Sequence, residues 1–144
     1  MTTPDYSSVD TALQAFYSAL EKADLAAMRA LWVSSSRAAV CIHPGGPALV
    51  GTRAILESWQ AIFNSGPGLT VRFDTLNRHM RAQEVICLVR ERLYPLGETA
   101  SPDGGHEVLA TNVLTLTATG EWRFLVHHAS AAPAVAVTNS TALH

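Results

Sequence analysis

Histidines, one arginine and one asparagine set among apolar residues are the groups in this sequence most able to do chemistry. His43 closes the apolar run Ala39-Val-Cys-Ile-His43 and is followed at once by Pro44-Gly-Gly-Pro47. An imidazole placed there could act as an acid or base near neutral pH, or simply tie its ring to a carbonyl of the turn. His127 and His128 are adjacent near the end of another apolar run, so on a strand they point to opposite faces and only one can face inward. Arg90 alternates with Ile86 and Leu88. If that face is core, its guanidinium needs a partner, either a ligand carboxylate or an acid such as Glu107 or Glu121. Asn112 lies between Ala110 and Leu114, where a lone amide must hydrogen-bond to something. Tyr17, Trp59 and Phe63 fall on apolar helix stripes and read first as core, although Tyr17 and Trp59 each carry a polar atom that could reach a cavity. No carboxylate is placed as an obvious base: Asp74, Glu84, Glu91, Glu107 and Glu121 read mostly as edge, turn or outward positions.

Several chemistries are disfavoured. There is no CxxC and no HExxH, so no metal site is expected and no cofactor is implied. Ten Lys and Arg are scattered among twelve acids for a net charge of −2, which argues against nucleic acid as a partner. The opening Met1-Thr-Thr-Pro-Asp-Tyr6 lacks the basic segment and apolar run of a secretion signal, and no stretch approaches the roughly 20 apolar residues of a membrane span. Cys41 and Cys87 each sit in an apolar strand-like run and are expected to be buried free thiols, in keeping with a cytoplasmic setting.

The elements that must position these groups follow from periodicity. Val9, Ala12, Leu13, Phe16, Tyr17 and Leu20 make one stripe of a helix over residues 7–23, with Ser7 and Asp10 at capping-box spacing. Asp24 reads as the cap of a shorter helix through Leu25, Met28, Leu31 and Trp32. A short strand over 38–43 precedes the Pro/Gly turn, and a third helix, capped by Thr52, carries Ile55, Trp59, Ile62 and Phe63. From Leu69 the period becomes two. Strands are expected from Leu69, over 85–94, over 106–117 and over 121–129, with a polar hairpin loop at 95–105 and a turn at Thr119-Gly120. Helices first and antiparallel strands after predict an α+β fold in a single domain over 1–133, followed by a loose tail over 134–144. In Val85-Ile-Cys-Leu-Val89 neither alternate set is polar, so both sheet faces are expected to be covered, one by helices and the other by a second copy of the chain.

Taken in order, four pieces resemble the nuclear transport factor 2-like superfamily, which includes SnoaL-like cyclases, scytalone dehydratase and ketosteroid isomerase. They are Phe16-Tyr17 with Ala23-Asp-Leu25, then Cys41-Ile-His-Pro-Gly-Gly46, then Gly51-Thr-Arg-Ala-Ile55 with Ser58-Trp59, and Gly120-Glu-Trp-Arg-Phe-Leu-Val-His-His-Ala-Ser130. The end of the chain is also similar to the calcium/calmodulin-dependent protein kinase II association domain, through Trp122, His128, Ser130 and Pro133, with Val89-Arg90 in the middle strand. That domain's pocket arginine falls at Asn112 here, a departure that weakens any expected anion preference. The resemblance implies a curved sheet wrapped as a cone over three helices, a pocket inside it, and dimers or larger even assemblies through the sheet. It selects His128 as the inward member of the histidine pair and leaves His127 at an interface or in solvent.

Three functional readings follow. The first is a homo-oligomeric protein whose pocket, lined by Tyr17, His43, Trp59, Phe63, Arg90, Asn112 and His128, binds a small, largely apolar ligand, with Arg90 offered to an acidic group. The second is a SnoaL-like lyase, isomerase or cyclase using His43 or His128 as general base, with Asn112 able to hold an oxyanion. The third is an association module.

Overall fold

The stripe of the first helix is buried, and this decides where everything else packs. The computed structural model describes residues 5–66, 68–97 and 104–140. Helix α1 (Ser7–Lys22) buries Val9, Ala12, Leu13, Phe16, Tyr17 and Ala19. Ala23 then turns the chain in the left-handed region (φ 53°), its N–H bonding back to the helix. Helix α2 (Leu25–Leu31) starts at the expected cap, with the Asp24 carboxylate accepting from the Ala27 N–H at 3.0 Å. Strand β1 (Val40–Ile42), strand β2 (Leu49–Val50) and helix α3 (Thr52–Asn64) follow. The Pro/Gly turn between the two short strands closes with the Gly46 N–H on the His43 carbonyl.

Four long strands complete the fold: β3 (Leu69–Arg81), β4 (Glu84–Pro95), β5 (His106–Leu116) and β6 (Trp122–Ala131). The described strands form one sheet in the order β2-β1-β6-β5-β4-β3. All neighbours are antiparallel except β1 with β6, whose parallel register sets Cys41 beside His127. The sheet curves over the three helices without closing. One apolar cluster fills the concavity, with Phe16 stacked on Phe124 (4.3 Å between centroids) and Tyr17 stacked on Phe73 (4.4 Å). The α+β expectation therefore holds. Residues 132–140 carry no helix or strand, while most of the 95–105 loop (98–103) and the end of the tail (141–144) lie outside the described residues.

Local expectations fail at two of the three helix caps, those of α1 and α3. No capping box forms at α1, where the Ser7 N–H is taken instead by the Asp5 carboxylate at 2.9 Å. Gly51, at φ 96°, is the N-cap of α3, and the Thr52 hydroxyl bonds the backbone of Val33 and Ser36 across to the α2–β1 connection. Thr52 is thus a tie between segments and not a cap.

Two corrections concern which side of the sheet faces in. On β4 the inner set is Val85, Cys87, Val89 and Glu91, so Ile86, Leu88, Arg90 and Arg92 face outward. The reason lies in the charges. Burying the Arg90 set would bury two guanidiniums that cannot lose their protons, whereas the other set buries one carboxyl that can be neutralised. On β6 the parity changes part-way. Leu114 pairs with Phe124 and Val113 with Val126, so Leu125 has no partner on β5 and forms a bulge. Phe124 and His127 consequently both face in, and His128 faces out and is exposed.

Cys41 and Cys87 are buried, unpaired and on the inner face, and burial is the main influence pushing their thiols up, to about 12 and about 11. A thiol reagent should therefore find little to react with in the native protein and two free thiols after denaturation without reductant. Finding none after denaturation would show a disulfide and contradict the fold.

Candidate functional site

A chain of four buried polar side chains crosses the interior. The Tyr17 hydroxyl, carried by α1, donates to Glu91 Oε2 on β4 at 2.5 Å. Asn112 on β5 donates its Nδ2 to the Tyr17 oxygen at 3.0 Å. Its Oδ1 lies 2.6 Å from Nδ1 of His127 on β6. An amide oxygen only accepts, so His127 carries its proton on Nδ1 and Nε2 holds the free lone pair. Register builds the chain: Cys87 pairs with Asn112, Asn112 with His127, and Phe73, under the Tyr17 ring, with Glu91. Glu91, Asn112 and His127 are 3 % exposed or less, and Tyr17 is 2 % exposed.

Burial dominates the titration of these groups. It pushes the Glu91 carboxyl up to about 7, against the pull of the Tyr17 hydrogen bond, and pushes the Tyr17 phenol well above its ordinary value. It drives His127 down to about 3, helped by the neighbouring His43 and His128, so His127 is neutral at physiological pH. His43, just past the end of β1, is half-buried and also lowered by desolvation. Its Nε2 is 3.0 Å from the Ser58 hydroxyl, and its ring stands edge-on to Trp59 at 4.7 Å. Trp59 in turn is 6.1 Å from the His127 ring and 5.7 Å from Phe63. Outside this aromatic layer, a cavity of about 200 Å³ opens between the ends of α1 and α3 and the start of β3, lined by Leu20, Ile62, Phe63 and Leu69 among others.

The seven residues expected to line one pocket thus divide. Tyr17, His43, Trp59 and Asn112 belong to the interior, and Phe63 stands between it and the cavity. Arg90 and His128 are on the outer face. Arg90 lies 3.6 Å from Glu107 and 3.9 Å from Asp74, so the surface ion-pair reading of this residue is the one the geometry matches. Two interior residues were missed. Glu91 could have been found from the Tyr17 hydroxyl, which demanded a partner on the buried stripe, and from the parity shared by Arg90 and Arg92. His127 carried no such signal, because the bulge at Leu125 leaves no mark in the sequence. Among the described residues no group of three or more His, Cys, Asp or Glu could hold a metal ion. No helix there is long and apolar enough to cross a membrane.

The SnoaL-like domain model matches residues 9–134. The chain belongs to the SnoaL-like family. The fold agrees with this assignment, since its solved neighbours are nuclear transport factor 2-like proteins. A structure from Thiobacillus denitrificans, assigned as a calcium/calmodulin-dependent protein kinase type II association domain, is 30% identical with a TM-score of 0.78, covering 91% of this chain and 100% of that one. One from Streptomyces avermitilis, assigned as a dehydratase of the NTF2-like family, is 28% identical with a TM-score of 0.77, covering 92% of this chain and 100% of that one. This SnoaL-like chain is also 29% identical over 129 residues to the F-box protein SKIP8 of Arabidopsis thaliana, a match that covers 90% of the chain and 50% of that relative's length. The chain therefore spans half of that curated relative.

The interior groups oppose one another in their effect on stability. Glu91 holds its proton to about 7 when folded but only to 4.5 when free, so the folded chain binds more protons in that window and stability falls as pH rises through it. His127 refuses a proton down to about 3 when folded, against 6.5 when free, so stability falls as pH drops through that range. Glu91→Gln removes the first effect alone. Relative to wild type, its stability should be independent of pH below about 4.5, rise by about 3 kcal/mol through the window, and level off above pH 7. Denaturant melts at several pH values would check this, and a pH-independent difference would place Glu91 outside the interior.

Proposed function

We propose that the protein is a small-molecule binding protein whose ligand enters at the cavity beside Phe63 and reaches the aromatic layer behind it. The observation that carries this reading is the juxtaposition of that apolar cavity with an interior that is not purely apolar. Leu20 and Phe63 each lie one helical turn from Tyr17 and Trp59, so a ligand body resting on the first pair meets polar atoms behind it. The acidic-ligand expectation depended on an inward Arg90 and is not retained.

A second reading, acid–base catalysis of the lyase or isomerase kind, gains support from the carboxylate that the sequence did not locate. Glu91 is poised near neutrality, in contact with a phenol, which is the pairing that proton transfer at physiological pH calls for. The assignment of the Streptomyces neighbour as a dehydratase fits this reading. With His128 outside, His43 and Glu91 are the groups that would carry it.

Copies of the chain associate, in this proposal, through the outer sheet face. Ile86 is 47% exposed there and is flanked by the half-buried Leu88 and Val113. The similarity to an association domain supports the same reading. Buried, unpaired thiols fit a reducing compartment such as the cytoplasm.

Two measurements test the proposal. Nile red, a neutral apolar dye, should bind with a blue-shifted emission, and Ile62→Trp, which fills the rim of the cavity from a side chain 37% exposed, should weaken it about tenfold. Unchanged dye binding in that variant would place the site elsewhere. Light scattering at micromolar concentration should give a mass of at least twice 15.4 kDa, and a monomer would end the association reading.

A further inference from the structure

The chemistry that the interior accepts can be read from its charges and from one of its two unanswered indole donors, an inference that rests on the pocket reading above. Consider the charges first. None of the ten Lys and Arg is buried; among the described residues the buried polar and charged ones are Thr52, Glu91, Asn112 and His127, together with the hydroxyl of Tyr17. The half-buried arginines are already answered at the surface, Arg78 by Asp10, Arg90 by Asp74 and Glu107, Arg92 by Glu107, and Arg123 by Glu121. A ligand carboxylate moving inward would therefore lose its water, meet no cation, and approach the carboxyl of Glu91.

The donor is Trp59. It is 3 % exposed, and its indole Nε1 is buried with no hydrogen-bond partner among the described residues. Such an N–H costs about 1–3 kcal/mol until an acceptor reaches it. It lies directly behind the cavity wall, since its ring adjoins those of His43 and Phe63, and Phe63 lines the cavity. Trp32 also has an unpartnered indole nitrogen, but its ring neighbour is Phe124, beside which it is sealed at 1 % exposure. An acceptor oxygen on an otherwise apolar molecule would satisfy Trp59 without bringing in charge.

We infer that the interior selects neutral ligands bearing a hydrogen-bond-accepting oxygen, such as a ketone or ester on an apolar ring body, that Trp59 donates to this oxygen, and that carboxylates of the same shape are excluded.

Three naphthalenes substituted at the same ring carbon provide the test: acetonaphthone, naphthoate and ethylnaphthalene, which keep the ring body and change only the polar group. Calorimetry on the wild-type chain should rank acetonaphthone about tenfold tighter than either of the others. The chain has three tryptophans, so nitrogen-15 spectra should show three indole signals, assignable with Trp32→Phe and Trp122→Phe. The Trp59 signal should move downfield with acetonaphthone and stay in place with ethylnaphthalene. Trp59→Phe should bring the ketone down to the affinity of the hydrocarbon and leave the hydrocarbon's own binding nearly unchanged. If that variant does not fold, the wild-type ranking and the indole shift decide the matter alone. Naphthoate binding as tightly as the ketone, equal affinity for all three compounds, or a Trp59 signal unmoved by bound ketone would overturn the inference while the pocket reading stands. Binding of none of the three would defeat both.

Discussion

The hydrogen bond between the Tyr17 hydroxyl and the Glu91 carboxyl is the contact on which the interior depends. It joins the first helix to the middle of the sheet, and it does so with a group that should not be there unaided. A carboxyl withdrawn from water costs several kcal/mol unless it is paired or neutralised. Here both remedies operate, because the phenol donates to it and burial lets it keep its proton to near neutrality. Asn112 and His127 then fall into line, since each can satisfy its neighbour in only one orientation. Remove any member and the next is left with a buried polar atom unsatisfied, at about 1–3 kcal/mol.

That dependence links stability to the proposed site. A well-satisfied polar chain inside an apolar shell fixes the positions of α1, β4, β5 and β6 relative to each other more tightly than packing alone. It also presents polar atoms at a defined depth behind the cavity rim. The same burial that makes the chain expensive keeps His127 neutral and raises the Glu91 carboxyl to about 7. Structural support and chemical potential here come from one set of atoms.

Much of the fold was legible from the sequence because helices and strands announce themselves by period. The stripe of α1, the Asp24 cap and the switch to period two at Leu69 all stand where the residues put them. The site was harder, because it depends on parity, and parity was ambiguous on two strands. In β4 the run Val85 to Val89 is apolar on both faces, so the decision rested on Arg90, Glu91 and Arg92. The correct weighting, two permanently charged groups against one that can be neutralised, was available from their chemistry. In β6 the decision rested on Leu125, whose bulge belongs to the pairing of β6 with β5 and is not encoded by any special residue. The resemblance that selected His128 therefore picked the outward histidine of the pair.

The extra residue at Leu125 bears on how this chain is compared with its relatives. A bulge adds one residue to the strand that carries it, so that two residues there oppose one on the partner. Relatives that lack it would carry their inward imidazole one place earlier or later, against identical flanking residues. Site residues transferred across this strand by column, even from a relative with high coverage, can thus land on the wrong side of the sheet. Superposed backbones, which reveal where the pleat skips, are the proper guide to equivalence there.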